Sequence, residues 1–493
     1  MLSVYATTAC DTDTTATNQS VPKPNFDEAT YNWSRTFAEV LQLTNQKHYK
    51  PDNVEDSMMK SIDAFLNNLD PHSAFLAPKT YQRMMESTSG EFFGIGIVID
   101  NTRKPEDSHL TVIDTIPGGP ADKAGVQVMD KIVEIEGEKL AGQSTEEITA
   151  KLKGPRNTKV KIKVMRQEGG DLLDFTITRD VIKEQNSLSF HLKDQNIYYL
   201  SLSTFSENAV KQVEQLLQSS EKNHYKGIIL DLRNNSGGLL SSVVDIAGLF
   251  LDKGSIVATT KDKHNKVIQT YKTTREPIVK GNLPIFILTN NYTASAAEIL
   301  AGDLKIHSEQ LAQSKSKRKL MVFLVGTTTF GKGSVQEVIP ISNNSAIKIT
   351  TSLYFLPNDT TIQGVGIQPD FVVERTQPLT EQVRWFTKNY GREHAFKNHI
   401  KVVTSSAAQD NKQVADDSKT ANDAQTIKRW TDRSREMLQK DNQLHATIEL
   451  INLFHSAQKT CPQQVCTRTQ AAAYMKQHLI TDDNTLTIEL VEP

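Results

Sequence analysis

The chain has 493 residues, with 56 Lys plus Arg against 58 Asp plus Glu and a formal net charge of -2. That length exceeds one ordinary hydrophobic core, so about two to four domains are expected, and the charge balance removes the electrostatic case for a nucleic-acid or anionic-membrane partner. No apolar run reaches the ~18 residues that a bilayer-spanning helix needs, so no membrane span is expected.

Residues 1–25 form a polar start in which MLSVYATTAC is only mildly apolar and DTDTTATNQSVPKP looks like a tether. A disordered terminus, the stub of a clipped export signal and a lipid attachment at Cys10 are the open readings. Over 26–86 the pattern is helical. Trp33, Phe37, Val40, Leu41 and Leu43, then Met58, Ile62, Phe65, Leu66 and Leu69, recur at helix-face spacing until Asp70-Pro71 breaks it. Residues 88–182 carry short β-branched runs between Gly/Pro turns (FGIGIVID, LTVIDTI, KIVEIEG, KVKIKVM, DFTITRD) and one helix, STEEITAKLK, which predicts a small β-rich domain.

From 187 to 374 buried strands alternate with amphipathic helices, which predicts an α/β layer fold with mostly parallel strands. Residues 375–493 are polar and largely helical, with SSAAQDNKQVADDSKTANDAQ as a linker. Cys461 and Cys466 enclose four residues and suit a small disulfide loop or two unpaired thiols. Zinc is the poorer reading, because no second Cys/His pair with ligand spacing follows.

Four segments carry chemistry. In PIFILTNNYTASAAEILAG a strand ends, small residues turn, and a helix starts, so Ser295 sits beside exposed helix N–H groups. There the N–H of Ala296 can face an oxygen that gains charge when a carbonyl is attacked. A plain helix N-cap is the competing reading. In LMVFLVGTTTFGKGSVQEV, residues Gly326, Gly331 and Lys332 satisfy a phosphate-loop spacing. Gly333, however, stands where a Ser or Thr must hold magnesium, and SVQEVIPI reads as a strand. Lys332 in a glycine-flanked, partly dry loop would instead lose proton affinity and could take a serine proton, with Gln336 aiming the amine. A surface turn lysine is the bland alternative.

The third segment, GIILDLRNNSGGLL, places Gly237 and Gly238 after a buried strand, where their N–H groups can wall an oxyanion site. The fourth opens with Phe93, Gly94, Ile95, Gly96 and Ile97 and continues through IPGGPADKAGVQVMDKIVEIEG. Free N–H groups before an edge strand can hold a terminal carboxylate while the edge accepts an extended peptide.

Taken together these segments resemble the carboxyl-terminal processing peptidases, or tail-specific proteases. The resemblance runs from about Phe26 to Glu374 and includes LDPHSAFL, the PDZ-like IPGGPADKAGVQVMDKIVEIEG, DLRNNSGG, TASAAEI, TFGKGSVQ and SLYFLPNDTTIQGVGIQPDFVVE. It implies a mixed α/β peptidase core, mostly parallel sheet with flanking helices, with an inserted PDZ-like domain and helical N- and C-terminal extensions. It also implies Ser295 as nucleophile, Lys332 as base, Gln336 as its orienting partner, Ala296 and Gly237 or Gly238 as the oxyanion hole, and Phe93 to Ile97 as the carboxylate loop. The PDZ-like domain would bind substrate C-termini and gate the site.

Expected partners are proteins or peptides with accessible C-termini, with no nucleic acid, no metal and no cofactor. Self-association through the N-terminal helices stays open, and the location implied is the cell envelope or periplasm. Two departures stand out. KIHSEQLAQSKSKRKL lengthens the interval between Ser295 and Lys332 and is expected to be a polar surface excursion, and Met129 replaces the usual PDZ glycine before Asp130. A catalytically inactive PDZ-bearing scaffold and, less well supported, a P-loop NTPase are the rival functions.

Overall fold

The computed structural model describes residues 27–49, 53–100, 103–116, 118–166, 170, 172–184, 186–220, 225–279, 283–313, 319–375, 393, 400, 441–460 and 467–479. The readings made for residues 1–25 with Cys10, for the linker at 405–425 and for Cys461 with Cys466 lie outside the described residues. Helix α1 (Glu28–Lys47) starts at Asp27, whose carboxylate accepts from Thr30 N at 2.7 Å. Its stripe of Trp33, Phe37, Val40 and Leu43 has helical spacing, as read, but is exposed. Helix α2 (Val54–Asn67) follows.

After α2, the Asp70 carboxylate shapes the Asp70-Pro71 turn by accepting from the N–H groups of His72 (2.9 Å) and Ser73 (3.0 Å). Strand β1 (Ala74–Leu76) and helix α3 (Pro78–Ser89) come next, and α3 ends on Gly90 at φ 69°.

The β-rich region holds β2 (Glu91–Gly94), β3 (Ile97–Ile99), β4 (Leu110–Thr115), helix α4 (Pro120–Ala124), β5 (Lys131–Ile135), β6 (Glu138–Lys139), helix α5 (Thr145–Leu152), β7 (Lys159–Met165), β8 (Leu172–Thr178) and β9 (Asp180–Lys183). Its antiparallel sheet runs β3-β4-β5-β7-β8, with β6 paired to β5. In KVKIKVM, Val160, Ile162 and Val164 point into the core while the lysines face out, the period of two that a half-buried strand requires. Helix α5 is the expected STEEITAKLK, closed by a Ser144/Glu147 capping box. The short α4 is additional to the one helix read there.

The core is a six-stranded sheet built from β10 (Ser187–Leu192), β11 (Ile197–Leu202), β12 (Gly227–Asp231), β15 (Pro284–Thr289), β16 (Met321–Gly326) and β19 (Phe371–Val372), in that spatial order. All neighbours pair parallel except β10 with β11. The central runs GIILD, PIFILT and MVFLVG are buried on both faces. One face, with Ile228, Leu230, Ile285, Ile287, Val322 and Leu324, packs on helices α6 (Glu207–Ser220), α7 (Leu240–Ala247) and α8 (Ala296–Gln313). The other face, with Ile229, Phe286 and Phe323, packs on Leu450, Ile451 and Phe454 of α9 (Asn442–Thr460) and on Met475 of α10 (Arg468–His478). Each such buried side chain contributes about 1.5–3 kcal/mol over its exposed state, so the C-terminal helices are part of the core rather than an appendage.

A second, antiparallel sheet runs β1-β18-β13-β14, with β13 (Ile256–Lys261), β14 (Val267–Lys272), β18 (Ala346–Phe355) and, also on β18, β17 (Ser334–Pro340). Part of the expected polar excursion is helix, and residues 314–318 lie outside the described residues. Residues 305–313 prolong α8, with Ile306 and Ser308 buried. Ser308 Oγ donates to Leu320 O at 2.7 Å and accepts from Val322 N at 3.0 Å, which ties the helix to the start of β16.

Met129 has φ 71°, the left-handed region that costs a residue with a Cβ about 1–2 kcal/mol. This turn therefore favours glycine, and its strain is local because Met129 is exposed. Met129→Gly is expected to raise the stability of this domain by about 1 kcal/mol in denaturant unfolding. A lowered midpoint would show that the methionine side chain contributes more than its backbone costs.

Candidate active site

The carboxyl ends of β12, β15 and β16 lie side by side, the usual place for a site on an open parallel sheet. Their three loops, 232–238, 290–296 and 327–333, are laced together. Thr293 Oγ1 donates to Leu232 O (2.8 Å), Ala294 N to Asn235 O (2.9 Å) and Phe330 N to Thr293 O (3.0 Å). Ser295, Gly237, Gly238 and Lys332 are thereby brought into one neighbourhood.

Ser295 is buried at 9% exposure with φ 55°, a strained position for a residue with a side chain. A serine N-cap would have extended backbone and would accept from the first helical turn through Oγ. Here the backbone is left-handed and, among the described residues, Oγ accepts from no N–H of α8. Instead Ser295 N donates to Glu298 Oε2 at 2.8 Å. Only the reverse half of a capping box is made, and Oγ is left for other work.

Glu298 is the residue that the sequence reading missed. It is fully buried, and besides Ser295 N it accepts from Gly331 N (2.7 Å), Lys332 N (2.8 Å) and Thr329 Oγ1. Burial pushes its carboxyl up to about 7, against the four hydrogen bonds, which favour the ionised form. The spacing S-x-x-E from Ser295 is the signal that could have found it.

Lys332 leaves a loop in which Gly331 has φ 98° and Gly333 packs so closely on Gln363 that a Cβ would lie 2.8 Å from its backbone N. Burial pushes the Lys332 ammonium down to about 8. Lys348 on β18 adds to this, and Glu393, Glu298 and Asp70 oppose it. β17 follows directly, which removes the phosphate-loop reading, since that loop needs a helix at this point.

Gln336 lies on β17 at a register shift of the β17–β18 pair. Its Nε2 donates to Ser334 Oγ (2.9 Å) and Thr350 Oγ1 (3.1 Å), and Thr350 Oγ1 donates to Asp70 Oδ1 (2.9 Å). Among the described residues, Gln336 Oε1 accepts no hydrogen bond, and none joins Ser295 Oγ to Lys332 Nζ.

Gly237 lies against the serine: a Cβ there would be 2.8 Å from Ser295 Cβ and 3.0 Å from Ala296 N. Its N–H is taken by Asn235 Oδ1 at 2.8 Å. The N–H groups of Gly238 and Ala296 have no acceptor among the described residues. In the β-rich domain, Phe93 and Gly94 belong to β2 and pair with Val181 and Asp180 of β9. Ile95 and Gly96 (φ 74°) form the turn into β3, which Ile97 opens and which, among the described residues, has β4 as its one sheet partner.

Glu298→Gln replaces an acceptor of four donors by an amide that can accept at one atom only. It is expected to lower stability by about 2–4 kcal/mol and turnover by about 100-fold. Unfolding curves and initial rates check both, and near-wild-type values would show that the two loops do not depend on this carboxylate.

Residues 196–373 match peptidase family S41, and residues 82–165 match the PDZ domain. The chain is 33% identical over 385 residues to the carboxy-terminal-processing protease of Bartonella bacilliformis, covering 76% of this chain and 82% of that one. It is 34% identical over 343 residues to the carboxyl-terminal-processing protease of Synechocystis, covering 68% and 75%. With the carboxy-terminal processing protease CtpA of Bacillus subtilis, identity is 31% over 349 residues, covering 71% and 69%. Identity at this level over most of both chains, joined to the two domain matches, means that the chain belongs to the carboxy-terminal-processing proteases, serine-type S41 peptidases with a PDZ domain.

Proposed function

We propose that this peptidase cleaves protein chains near their C-termini with a Ser295/Lys332 pair. The observation that carries the reading is the shared anchor: one buried carboxylate, Glu298, holds the backbone N–H of both residues. Neutral Lys332 takes the Ser295 Oγ proton as Oγ attacks the peptide carbonyl. The N–H groups of Ala296 and Gly238 receive the oxyanion, and Gly237 keeps the approach open. As the C–N bond breaks, the Lys332 ammonium gives its proton to the leaving amine. Lysine then deprotonates the water that hydrolyses the acyl-enzyme.

For the pair to close, the Lys332 amine has to come within hydrogen-bond reach of Ser295 Oγ, and Gln336, whose Nε2 is held by Ser334 and Thr350, would accept from the ammonium through Oε1. Apo sites often tighten such contacts only around substrate.

The substrate C-terminus would add as a strand to β3, with its carboxylate on the Ile95–Ile97 turn. Occupancy of that groove would gate the peptidase site. The exposed stripe of α1 supports self-association through the N-terminal helices. The cell envelope or periplasm is the location that the family resemblance favours.

The test uses an unstructured polypeptide as substrate. Ser295→Ala and Lys332→Ala are each expected to lose activity by about 10³-fold or more with the fold intact. The amine is a base only when neutral, so kcat/KM should rise with pH through about 8. Full activity in either variant overturns the pairing, and intact polypeptide held by the wild-type protein would favour the scaffold.

A further inference from the structure

The chain after Glu374 lies beyond the span that matches the peptidase family, yet one of its residues, Glu393, touches the lysine loop through its backbone N–H. Glu393 is fully buried. Its Oε2 is 2.7 Å from His72 Nε2, its Oε1 accepts from Gln363 Nε2 at 2.8 Å, and its own N–H donates to Phe330 O at 3.3 Å. Gln363 Oε1 in turn accepts from Gly333 N at 2.8 Å. Phe330 and Gly333 stand on either side of Gly331-Lys332. Both shoulders of the lysine loop are therefore tied to Glu393, one by its backbone and one through Gln363. His72 belongs to the Asp70–Ser73 turn, and Asp70 is bonded to Thr350, the partner of Gln336. The Glu393 carboxylate thus contacts Gln363 directly and is linked to Gln336 through the Asp70–Ser73 turn and Thr350.

We propose that Glu393 is a positioning residue for Lys332, through which the C-terminal extension braces the catalytic loop and sets the environment of its amine. A buried carboxylate so placed acts by geometry and by charge. The groups that face Lys332 are Glu298 on α8, Asp70 ahead of β1 and Glu393, all favouring the ammonium, with Lys348 on β18 against it. The charged or titratable groups facing Glu393 are His72 and Lys332 itself. Removing the Glu393 charge leaves burial and Lys348 less opposed, so Lys332 should give up its proton at lower pH.

This inference rests on the reading of Lys332 as base, so its test reads the amine itself as well as turnover. In the full-length protein, trace acetylation of Lys332 is followed by mass spectrometry across pH for wild type, Glu393→Gln and Glu393→Asp. The midpoint in Glu393→Gln should move to lower pH by on the order of half a unit, with kcat down about tenfold and KM little changed. Glu393→Asp keeps the charge and should stay near the wild-type midpoint.

A folded Glu393→Gln protein with an unmoved Lys332 midpoint overturns the proposal, whatever its turnover. If that variant does not fold, Gln363→Ala, which cuts the arm to Gly333, is read instead, and an unchanged kcat overturns it. Failure of the Ser/Lys reading shows separately, as turnover that survives Lys332→Ala.

Discussion

The site depends on one buried carboxylate. Glu298 joins the turn at the end of β15 to the loop at the end of β16, and its partners lie at Ser295 and at 329–332. An ionised group without water is expensive unless donors surround it, and here three backbone N–H groups and one hydroxyl do so. Each donor left without its acceptor would cost about 1–3 kcal/mol. The two loops therefore hold one relative position. The same carboxylate draws Ser295 N into the left-handed backbone that turns Oγ away from capping α8.

The rest of the fold supplies the rigidity that this junction needs. Parallel strands covered on both faces fix the ends of β12, β15 and β16, and helices from the far C-terminus complete one of those faces. Gly237 is required because any side chain there would strike Ser295. Lys332 is held through its backbone N–H on Glu298, and Gln336 on the strand that follows is fixed by its bonds to Ser334 and Thr350.

Much of this was legible in the sequence. The runs GIILD, PIFILT and MVFLVG are too uniformly apolar for one-sided burial, and they are the central strands. Alternation in KVKIKVM gave the PDZ-like sheet its faces, and Met129 marked a turn whose φ proved positive. What stayed hidden depends on contacts distant in the chain. Glu298 looked like an ordinary helical glutamate, because its partners lie about thirty residues on. Periodicity reports which face of a helix is apolar but not whether anything covers it, so the exposure of the α1 stripe was not readable. The polar composition of KIHSEQLAQSKSKRKL suggested a surface excursion, yet its first nine residues continue α8 with Ile306 and Ser308 buried. Glu393 lies in a segment read only as polar and largely helical, and its place against His72 and Gln363 distinguishes it.

In the proposed mechanism Ser295 is reactive because Lys332, in a dry loop, gives up its proton near pH 8 rather than at the ordinary lysine value. The most direct measurement is the rate at which an aryl fluorophosphonate labels Ser295, located by mass spectrometry, as a function of pH. A single adduct is expected at Ser295, with a rate that rises through about pH 8 and loses that rise in Lys332→Ala. An adduct at another serine, or equal labelling of Ser295 with and without Lys332, would contradict it.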